Sequence, residues 1–314
     1  MTELEVARHS LQIDPHLHIW GWEVVVYLFL GGMAAGAMVL TSLLSRAPLS
    51  RNARWLGFLA PVLVSAGMGA LFLDLAHKVH VWRFYLAFKV TSPMSWGSWI
   101  LLLVYPATLL FALALLDEDQ LGWLQGQLRR VPLGNRIAAL LPAARSLALA
   151  HLPRLRQVHL GLGVALGIYT GILLSTLGAR ALWNSALLGP LFLASGLSAG
   201  AALLRLLPLS SEERSAAARW DLWAIGAEVV LLVLVFVGLG TQGAAGAQGL
   251  HLIMGGRFTA LFWSFVVGAG LLLPLLFELL EHRLDLRPSA LVPAFVLLGG
   301  FALRWVFVMG GQAH

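Results

Sequence analysis

The sequence has no cysteine, and only 11% of its 314 residues are charged. Without thiols the protein can hold no disulfide, no thiolate-bound zinc and no cysteine-ligated iron–sulfur cluster of its own. Soluble domains carry roughly 25% charged residues. Here 59% of the residues are apolar and the mean hydropathy is +0.83. These values predict a protein that crosses a membrane several times.

Histidines suited to bind haem are also lacking. All ten histidines fall in tails, in loops or near the ends of apolar segments. A haem-bearing bundle needs histidines that project inward from its helices, so we expect no haem in this protein. The net charge of +6 is attributed to basic loops beside an anionic membrane surface, not to binding of nucleic acid.

A membrane-spanning helix needs about 20 apolar residues, and the sequence contains eight such segments. The predicted spans are 19–44, 55–76, 96–116, 157–178, 185–207, 221–240, 258–280 and 290–309. The preceding segment, 1–18, is acidic and has no apolar core, so we expect a tail and not a cleavable signal peptide. An apolar stretch at 137–150 is short and contains Pro142 and Arg145, which favours an interfacial helix over a ninth span.

Basic residues are distributed unevenly between the two sides of these spans. Fourteen of the 21 Lys and Arg residues lie at the connections after the first, third, fifth and seventh spans. The positive-inside rule makes this side cytoplasmic. Both termini are then expected to be periplasmic, in a bacterial inner membrane. If 137–150 crossed the membrane, the orientation of everything after it would reverse.

Two stretches of the sequence echo each other, LFLGGMAAGA at 28–37 and LFLASGLSAGA at 191–201. Each contains two glycines four residues apart, a spacing that lets helices approach closely. Their separation corresponds to four spans, which favours two related four-helix units. Small residues that recur in any packed membrane helix explain the echo equally well. The predicted divisions are 1–18, 19–178 (with a cytoplasmic loop at 117–156) and 179–314.

Ionisable residues inside apolar spans are costly and are usually functional. Four polar residues are predicted to approach the periplasmic boundary: Glu23, Asp74, His77 and Tyr169. A tyrosine hydroxyl and an imidazole can hydrogen-bond the two oxygens of a quinone ring, and nearby carboxylates can exchange the protons of a two-electron reaction. The structural alternative is that acid and base pair to hold the bundle, for example Glu23 or Asp74 with Arg304.

Two ionisable residues lie in the second half of the chain, Glu228 in the sixth span and Arg304 in the eighth. Together with Asp74 they are candidates for a proton path. Several tryptophans, including Trp96, lie at the predicted outer boundary, where most are expected to form an ordinary interfacial belt.

Several runs of the sequence resemble the NrfD/PsrC family, the membrane subunits of polysulfide reductase-like and nitrite reductase-like complexes. The most specific run is TSPMSWGSW at 91–99, and the runs WGWEVVVYLFLGGMAAGA, GIYTGILLS and LLGGFALRWVFVMGGQ resemble the family's first, fourth and last spans. The resemblance covers nearly the whole sequence. At the end of the second span, DLAHKVHVWR replaces the family's acid–Leu–Gly–Arg–Pro type of run, which leaves Asp74 and Arg83 as the residues that carry over.

The resemblance implies an all-α fold of eight transmembrane helices in two four-helix bundles, with no bound metal. It implies a menaquinone or ubiquinone site near the outer face, where Tyr169 would hydrogen-bond the quinone head. It also implies a docked iron–sulfur subunit with several four-iron clusters, and beyond it a molybdopterin or multihaem catalytic subunit. The protein alone would not be a complete enzyme. The predicted quinone-site residues are Glu23, Asp74, His77, Arg83, Trp96 and Tyr169.

Two other functions are consistent with the sequence. A secondary transporter or proton channel acting alone would use intramembrane acids, but transporter sites usually lie at the bilayer midplane between inverted repeats. Here the polar residues gather at one face and the possible repeat is parallel. A membrane anchor without quinone would use the outer cluster only as a docking surface. Co-purification of an iron–sulfur protein and of quinone with this protein would distinguish these functions.

Overall fold

The computed structural model describes residues 20–75, 78–86, 88–132, 134–177, 180–284 and 289–313, and only the backbone of residues 84 and 279–284. The described residues contain eight helices that are long and apolar enough to span a membrane. The predicted all-α membrane fold with eight spans is therefore confirmed. These helices are α1 Trp22–Leu44, α2 Ala53–Asp74, α3 Pro93–Leu115, α4 Leu152–Ser175, α5 Leu188–Arg205, α6 Ser211–Gly240, α7 Thr259–Glu278 and α8 Leu291–Gln312.

Two of these helices begin well before the apolar segments that predicted them. α6 begins at Ser211 because Ser210 accepts a hydrogen bond from the amide of Glu213, whose side chain accepts one from the amide of Ser210. This capping box starts the helix in polar sequence. α4 begins at Leu152, with a proline in its first turn. As a result His159, which the sequence placed near a span end, is the eighth residue of α4 and is buried.

The seventh span changes geometry along its length. It starts as a short α-helical turn, forms a π-helix over Phe262–Leu272 and continues as an α-helix from Leu273. Such wide segments are frequent at functional sites. The π-helical part packs against α8, where Gly270 lies so close to Gly299 that a Cβ built on Gly299 would be 2.2 Å from the Cα of Gly270.

The helices α1 and α5 lie side by side at the centre of the molecule. α1 also packs against α2 and α4, whereas α5 packs against α6 and α8. The outer helices α3 and α7 pack against α4 and α8, respectively. We call α1–α4 the first unit and α5–α8 the second unit. The predicted boundary between residues 178 and 179 lies outside the described residues and stays a prediction.

The two echoing stretches meet at the contact between α1 and α5. A Cβ built on Gly36 would lie 2.1 Å from the carbonyl oxygen of Gly196. A Cβ built on Gly196 would lie 2.6 Å from the carbonyl oxygen of Gly32, and one on Gly200 would lie 2.6 Å from the carbonyl carbon of Gly36. The four glycines therefore bring two backbones into direct contact, as their spacing predicts.

Both ends of the eight-helix array lie at one face. The amide of Trp20 donates to the side chain of Gln312 at 2.6 Å, and that side chain donates back to the carbonyl of Trp20 at 3.1 Å. We call this end of the molecule the terminal face and the other end the opposite face.

The stretch that the sequence assigned to the interface forms a helix, Gly134–Ala150, at the opposite face. Arg145 in this helix donates to the carbonyl of Leu116, just after α3, at 3.0 Å. Near the start of the same helix, the carbonyl of Ala138 accepts from Gln125 of the helix Glu118–Leu128 at 3.0 Å. These two hydrogen bonds hold the helix beside the end of α3. The helix is not among the eight candidate spans.

Candidate functional site

A largely apolar cavity of about 390 Å³ lies in the first unit, near the terminal face. Its wall is formed by α1, α2, α3, α4 and the connector that follows α2. The volume lies within the range of small-molecule sites, which typically combine apolar walls with a few polar groups. The residues with polar side-chain groups that line it, besides Trp20, are Tyr27, Asp74, Tyr85, Ser98 and Tyr169.

Two tyrosines meet at the inner wall of the cavity. The hydroxyls of Tyr27 in α1 and Tyr169 in α4 are hydrogen-bonded to each other, and both side chains are buried. Gly97 in α3 makes room for them. A Cβ built on Gly97 would lie 1.9 Å from the Cζ of Tyr169 and 2.1 Å from its hydroxyl oxygen. Gly97, the glycine of the SPMSWGSW run, is therefore required because any side chain at this position would overlap the phenol of Tyr169.

Asp74 and Tyr85 supply polar groups nearer the terminal face. Asp74 is the last residue of α2 and is half-buried against the cavity. Tyr85 belongs to the short connector helix Arg83–Leu86. Partial burial, with Tyr105 nearby, raises the pKa of the Tyr85 phenol, so this hydroxyl keeps its proton at neutral pH and can donate a hydrogen bond.

The cavity opens sideways between α2 and α3. Gly69 and Phe72 of α2 and Met94 of α3 line the cavity and are also exposed on the surface of the bundle. α2 packs mainly on α1, and α3 packs mainly on α4. The gap between α2 and α3 therefore faces the region where lipid surrounds a membrane protein.

Two of the six residues predicted for the quinone site line this cavity. Asp74 and Tyr169 come from helices far apart in sequence, and the fold brings them to the same space. Glu23 is half-buried at the start of α1 and is not among the lining residues. His77 lies outside the described residues.

The other two predicted residues lie in and beyond the connector. Arg83 is exposed, and its guanidinium carbon stacks 5.6 Å from the centre of the Trp82 ring. The Trp96 indole donates to the carbonyl of Val90 at 2.7 Å and thereby closes the turn before α3. Neither lines the cavity, and a direct role for Glu23, Arg83 or Trp96 stays a prediction.

Three polar residues that line the cavity, Tyr27, Tyr85 and Ser98, and Gly97 beside the Tyr169 ring were not predicted from the sequence. Tyr27 has a recognisable signal, since it is a single hydroxyl within the apolar run VVVYLFL. The role of Gly97 depends on a contact with a helix more than 50 residues away, which no local pattern reports.

The two remaining predicted residues, Glu228 and Arg304, lie together in the second unit. Arg304 is fully buried and donates to the Ser195 hydroxyl and to two backbone carbonyls. Glu228 is hydrogen-bonded to the same serine and interacts electrostatically with Arg304. Arg304 therefore does not form the sequence-predicted pair with Glu23 or Asp74.

A second buried group, at the opposite-face end of the second unit, was missed. Arg205 of α5 bridges the carboxylates of Asp221 in α6 and Glu278 in α7. In the sequence, Arg205 is one of the basic residues on the predicted cytoplasmic side, at the end of the fifth predicted span. The described residues contain no group of three or more histidine, aspartate or glutamate side chains that could hold a metal ion.

Comparison with known proteins places these features in a family. A family model described as "Polysulphide reductase, NrfD" matches residues 9–314. The C component of the polysulfide reductase of Wolinella succinogenes is 30% identical over 316 residues, which is 94% of each of the two proteins. Protein NrfD of Escherichia coli is 30% identical over 311 residues, covering 94% of this protein and 95% of that one. The C component of the selenate reductase of Mesobacillus selenatarsenatis is 23% identical over 312 residues, covering 92% and 73%.

Proposed function

The chain belongs to the NrfD polysulphide reductase family, and from this premise we propose that it binds quinone or quinol and exchanges electrons with an iron–sulfur subunit docked beside it. The observation that carries the proposal is the apolar cavity into which Tyr27, Tyr169 and Asp74 project. Two relatives are named as components of a polysulfide reductase and of a selenate reductase, which supports a role as one subunit of a reductase complex.

The groups in the cavity match the chemistry of a quinone. A quinone ring carries two oxygens that accept hydrogen bonds, and tyrosine hydroxyls can donate to them. The apolar wall suits an isoprenoid tail, and the gap between α2 and α3 allows menaquinone or ubiquinone to reach the cavity from the bilayer. When bound, the quinone supplies the two-electron chemistry that no side chain of this protein offers.

Each residue then has a defined task. Tyr27 holds the hydroxyl of Tyr169, which fixes the direction in which Tyr169 presents its oxygen. Asp74 lies where the cavity meets the terminal face, so its carboxylate can exchange protons between the cavity and water. The apolar wall keeps other water away from the site.

The surface next to the cavity suits a docked partner. In the connector after α2, Val79 is 82% exposed and Leu86 is 74% exposed, although both lie beyond the end of a membrane span. We propose that an iron–sulfur subunit with several four-iron clusters lies over this surface, and that a molybdopterin or multihaem catalytic subunit lies beyond it. The terminal face is then periplasmic, with both termini outside a bacterial inner membrane.

Removal of either polar group is expected to slow quinol-linked turnover of the intact complex. Tyr169→Phe removes one hydrogen bond and should reduce turnover about tenfold, the equivalent of roughly 1.4 kcal/mol. Asp74→Asn removes the proton acceptor and should have at least the same effect. Tyr105→Phe is the matched control, since this hydroxyl bonds Ser65 at 2.9 Å outside the cavity. Full activity in both cavity variants would refute the site.

Alanine at position 97 is expected to act on turnover without touching a polar group. The added methyl would occupy the space of the Tyr169 phenol, so the ring must move and the bond to Tyr27 must break. We expect a loss of turnover at least as large as that of Tyr169→Phe. Gly122→Ala, where a Cβ meets nothing within 4 Å, should behave as the unaltered protein. If Gly97→Ala turns over normally, the tyrosine pair does not position the quinone.

A second candidate function, a transporter or proton-conducting protein that acts alone, is favoured by the buried charges around Glu228 and Arg304. Purification from the native membrane in mild detergent tests both candidates. An iron–sulfur protein and near-stoichiometric quinone in the preparation would support the redox subunit. The protein alone, without quinone, would favour the transporter and make Asp74, Glu228 and Arg304 candidates for a transport path.

A further inference from the structure

The opposite face carries a further cavity of about 390 Å³, which the quinone chemistry does not use. It lies where the start of α2 meets the helix Glu118–Leu128, and both contribute to its wall. Because α2 begins to span the membrane at Ala53, the cavity lies at the level where the hydrocarbon core gives way to lipid headgroups. The residues that line it are Arg51, Asn52, Trp55, Asp119, Gln120 and Trp123.

Two opposite charges line this cavity without neutralising each other. Arg51 and Asp119 are both exposed, and within the described part of the chain neither side chain forms an ion pair or a hydrogen bond. The neighbouring Arg54 and Asp117, by contrast, form an ion pair at 2.6 Å. One guanidinium and one carboxylate therefore stay available to a ligand that carries both signs of charge.

Two tryptophans form a corner of the same cavity. The ring centres of Trp55 and Trp123 are 5.5 Å apart, and the ring planes meet at 84°. Trp123 is 57% exposed, so its ring is accessible to a ligand. Tryptophan rings attract cations, and walls of aromatic rings are a common way to recognise ammonium groups. With the carboxylate of Asp119 in the same cavity, this corner suits an ammonium group.

An apolar groove leads away from the charged cavity. It has a volume of about 240 Å³ and shares Asn52 and Trp55 with that cavity. Its other walls come from α2 and from Leu207, Pro208 and Leu209 after α5. The side chain of Asn52 donates to the carbonyl of Pro208 at 3.0 Å, which joins the start of α2 to this connection. The groove therefore crosses from the first unit to the second, and its apolar wall suits a hydrocarbon chain.

We propose that this surface binds one phospholipid whose headgroup carries both a phosphate and an ammonium, as in phosphatidylethanolamine. The phosphate lies against Arg51, whose guanidinium can bond two of its oxygens. The ammonium lies between Asp119 and the tryptophan corner, and one acyl chain follows the groove. An anionic lipid such as phosphatidylglycerol would satisfy Arg51, but it offers no cation to Asp119. The bound lipid bridges the two units, and this role goes beyond the proposed quinone chemistry.

A titration with phospholipids of identical chains tests whether the headgroup is recognised. The protein, with any subunits that stay bound to it, is purified from its native membrane and washed free of lipid in detergent. Native mass spectrometry then counts the lipids bound at each concentration. We expect the tightest site to bind phosphatidylethanolamine about tenfold more tightly than phosphatidylglycerol, the effect of about one charge-assisted contact. Equal affinities for the two lipids would overturn the proposal.

Two variants separate the contributions of the two charges. Arg51→Gln should weaken the binding of both lipids, because both carry a phosphate. Asp119→Asn should abolish the preference for phosphatidylethanolamine, because the ammonium loses its carboxylate. Arg129→Gln and Glu212→Gln, which remove an exposed base and an exposed acid at the same face, are the matched controls and should bind as the unaltered protein does. A preference that survives in Asp119→Asn would show that the ammonium is not bound here.

Two further measurements ask whether the lipid lies in the groove and bridges the units. Glycerophosphoethanolamine has the same headgroup without chains, so we expect it not to displace the lipid at a concentration at which the lipid saturates the site. Phosphatidylethanolamine should raise the melting temperature of the unaltered protein, because a ligand stabilises the state that binds it, and should raise that of Arg51→Gln less. Displacement by the free headgroup, or equal shifts in both proteins, would contradict the site. None of these measurements involves quinone, so their outcome is independent of the cavity at the terminal face.

Discussion

Alanine at position 36 is expected to force the two central helices apart and to destabilise the protein by about 3 kcal/mol, the upper part of the range for overpacked cores. The Cβ would lie 2.1 Å from the carbonyl oxygen of Gly196 and 3.0 Å from the Cα of Leu197. Both are backbone atoms, which cannot rotate away as a side chain can. Relief therefore requires α1 and α5 to separate along their whole contact.

The measurement is thermal or denaturant unfolding of Gly36→Ala in detergent, with Gly226→Ala as the matched control. Gly226 lies inside α6, and a Cβ there meets nothing within 4 Å. That substitution should be neutral or should stabilise the helix by about 0.5–1 kcal/mol, because glycine is unfavourable in a helix interior. Equal stability of the two variants would show that the contact between α1 and α5 is looser than described.

The separation of α1 and α5 should also disturb the contacts of Arg304. The guanidinium of Arg304 lies against Gly32, one turn before Gly36 on the same face of α1. A shift of α1 would therefore disturb the bonds of Arg304 to Ser195. We infer that the small residues of the echoing stretches serve two purposes, since they pack the units together and bring α1 next to the buried charges.

Much of this fold could be predicted from the sequence because lipid imposes a simple constraint. A span must be about 20 residues long and apolar, and hydropathy alone finds such segments. The predicted start of α6 was ten residues late, because the capping box at Ser210 begins the helix in polar sequence that hydropathy does not register. The spacing of the glycines predicted that α1 approaches another helix closely at Gly36. Only the similarity of residues 28–37 to residues 191–201 indicated that Gly196 is the partner.

The candidate site was predicted less completely, for a physical reason. Asp74 and Tyr169 could be selected because a polar side chain in an apolar segment is conspicuous in the sequence alone. Gly97 owes its role to a contact between helices, which leaves no local signal, whereas Tyr27 is visible as a single hydroxyl in an apolar run but its pairing with Tyr169 is not. Asp221 and Arg205 lie at the ends of the predicted spans 221–240 and 185–207, where charges are ordinary, so neither was selected from the sequence. Only the tertiary structure shows that they are paired and buried.

Methionine at position 205 is expected to be the most destabilising single change in the second unit. Arg205 is the shared partner of Asp221 and Glu278, whose side chains are 0% and 6% exposed. Without the guanidinium, two buried carboxylates would lose the cation that they share. Removal of one member of a buried ion pair typically costs about 3–5 kcal/mol. The midpoint of chemical unfolding in detergent should fall accordingly, and acidic buffer should reduce the loss because a protonated carboxyl carries no charge.

Two further variants separate the effect of charge from that of packing. Arg54→Met breaks a pair with Asp117 whose side chains are 33% and 30% exposed, and exposed pairs contribute only about 0–1 kcal/mol. The triple variant Arg205→Met, Asp221→Asn, Glu278→Gln removes all three charges and should regain most of the stability lost in Arg205→Met, because neutral replacements of buried ion pairs are often tolerated.

If Arg205→Met is as mild as Arg54→Met, the three-helix ion pair does not exist in the folded protein. If the triple variant is as unstable as the single one, Arg205 acts mainly through packing.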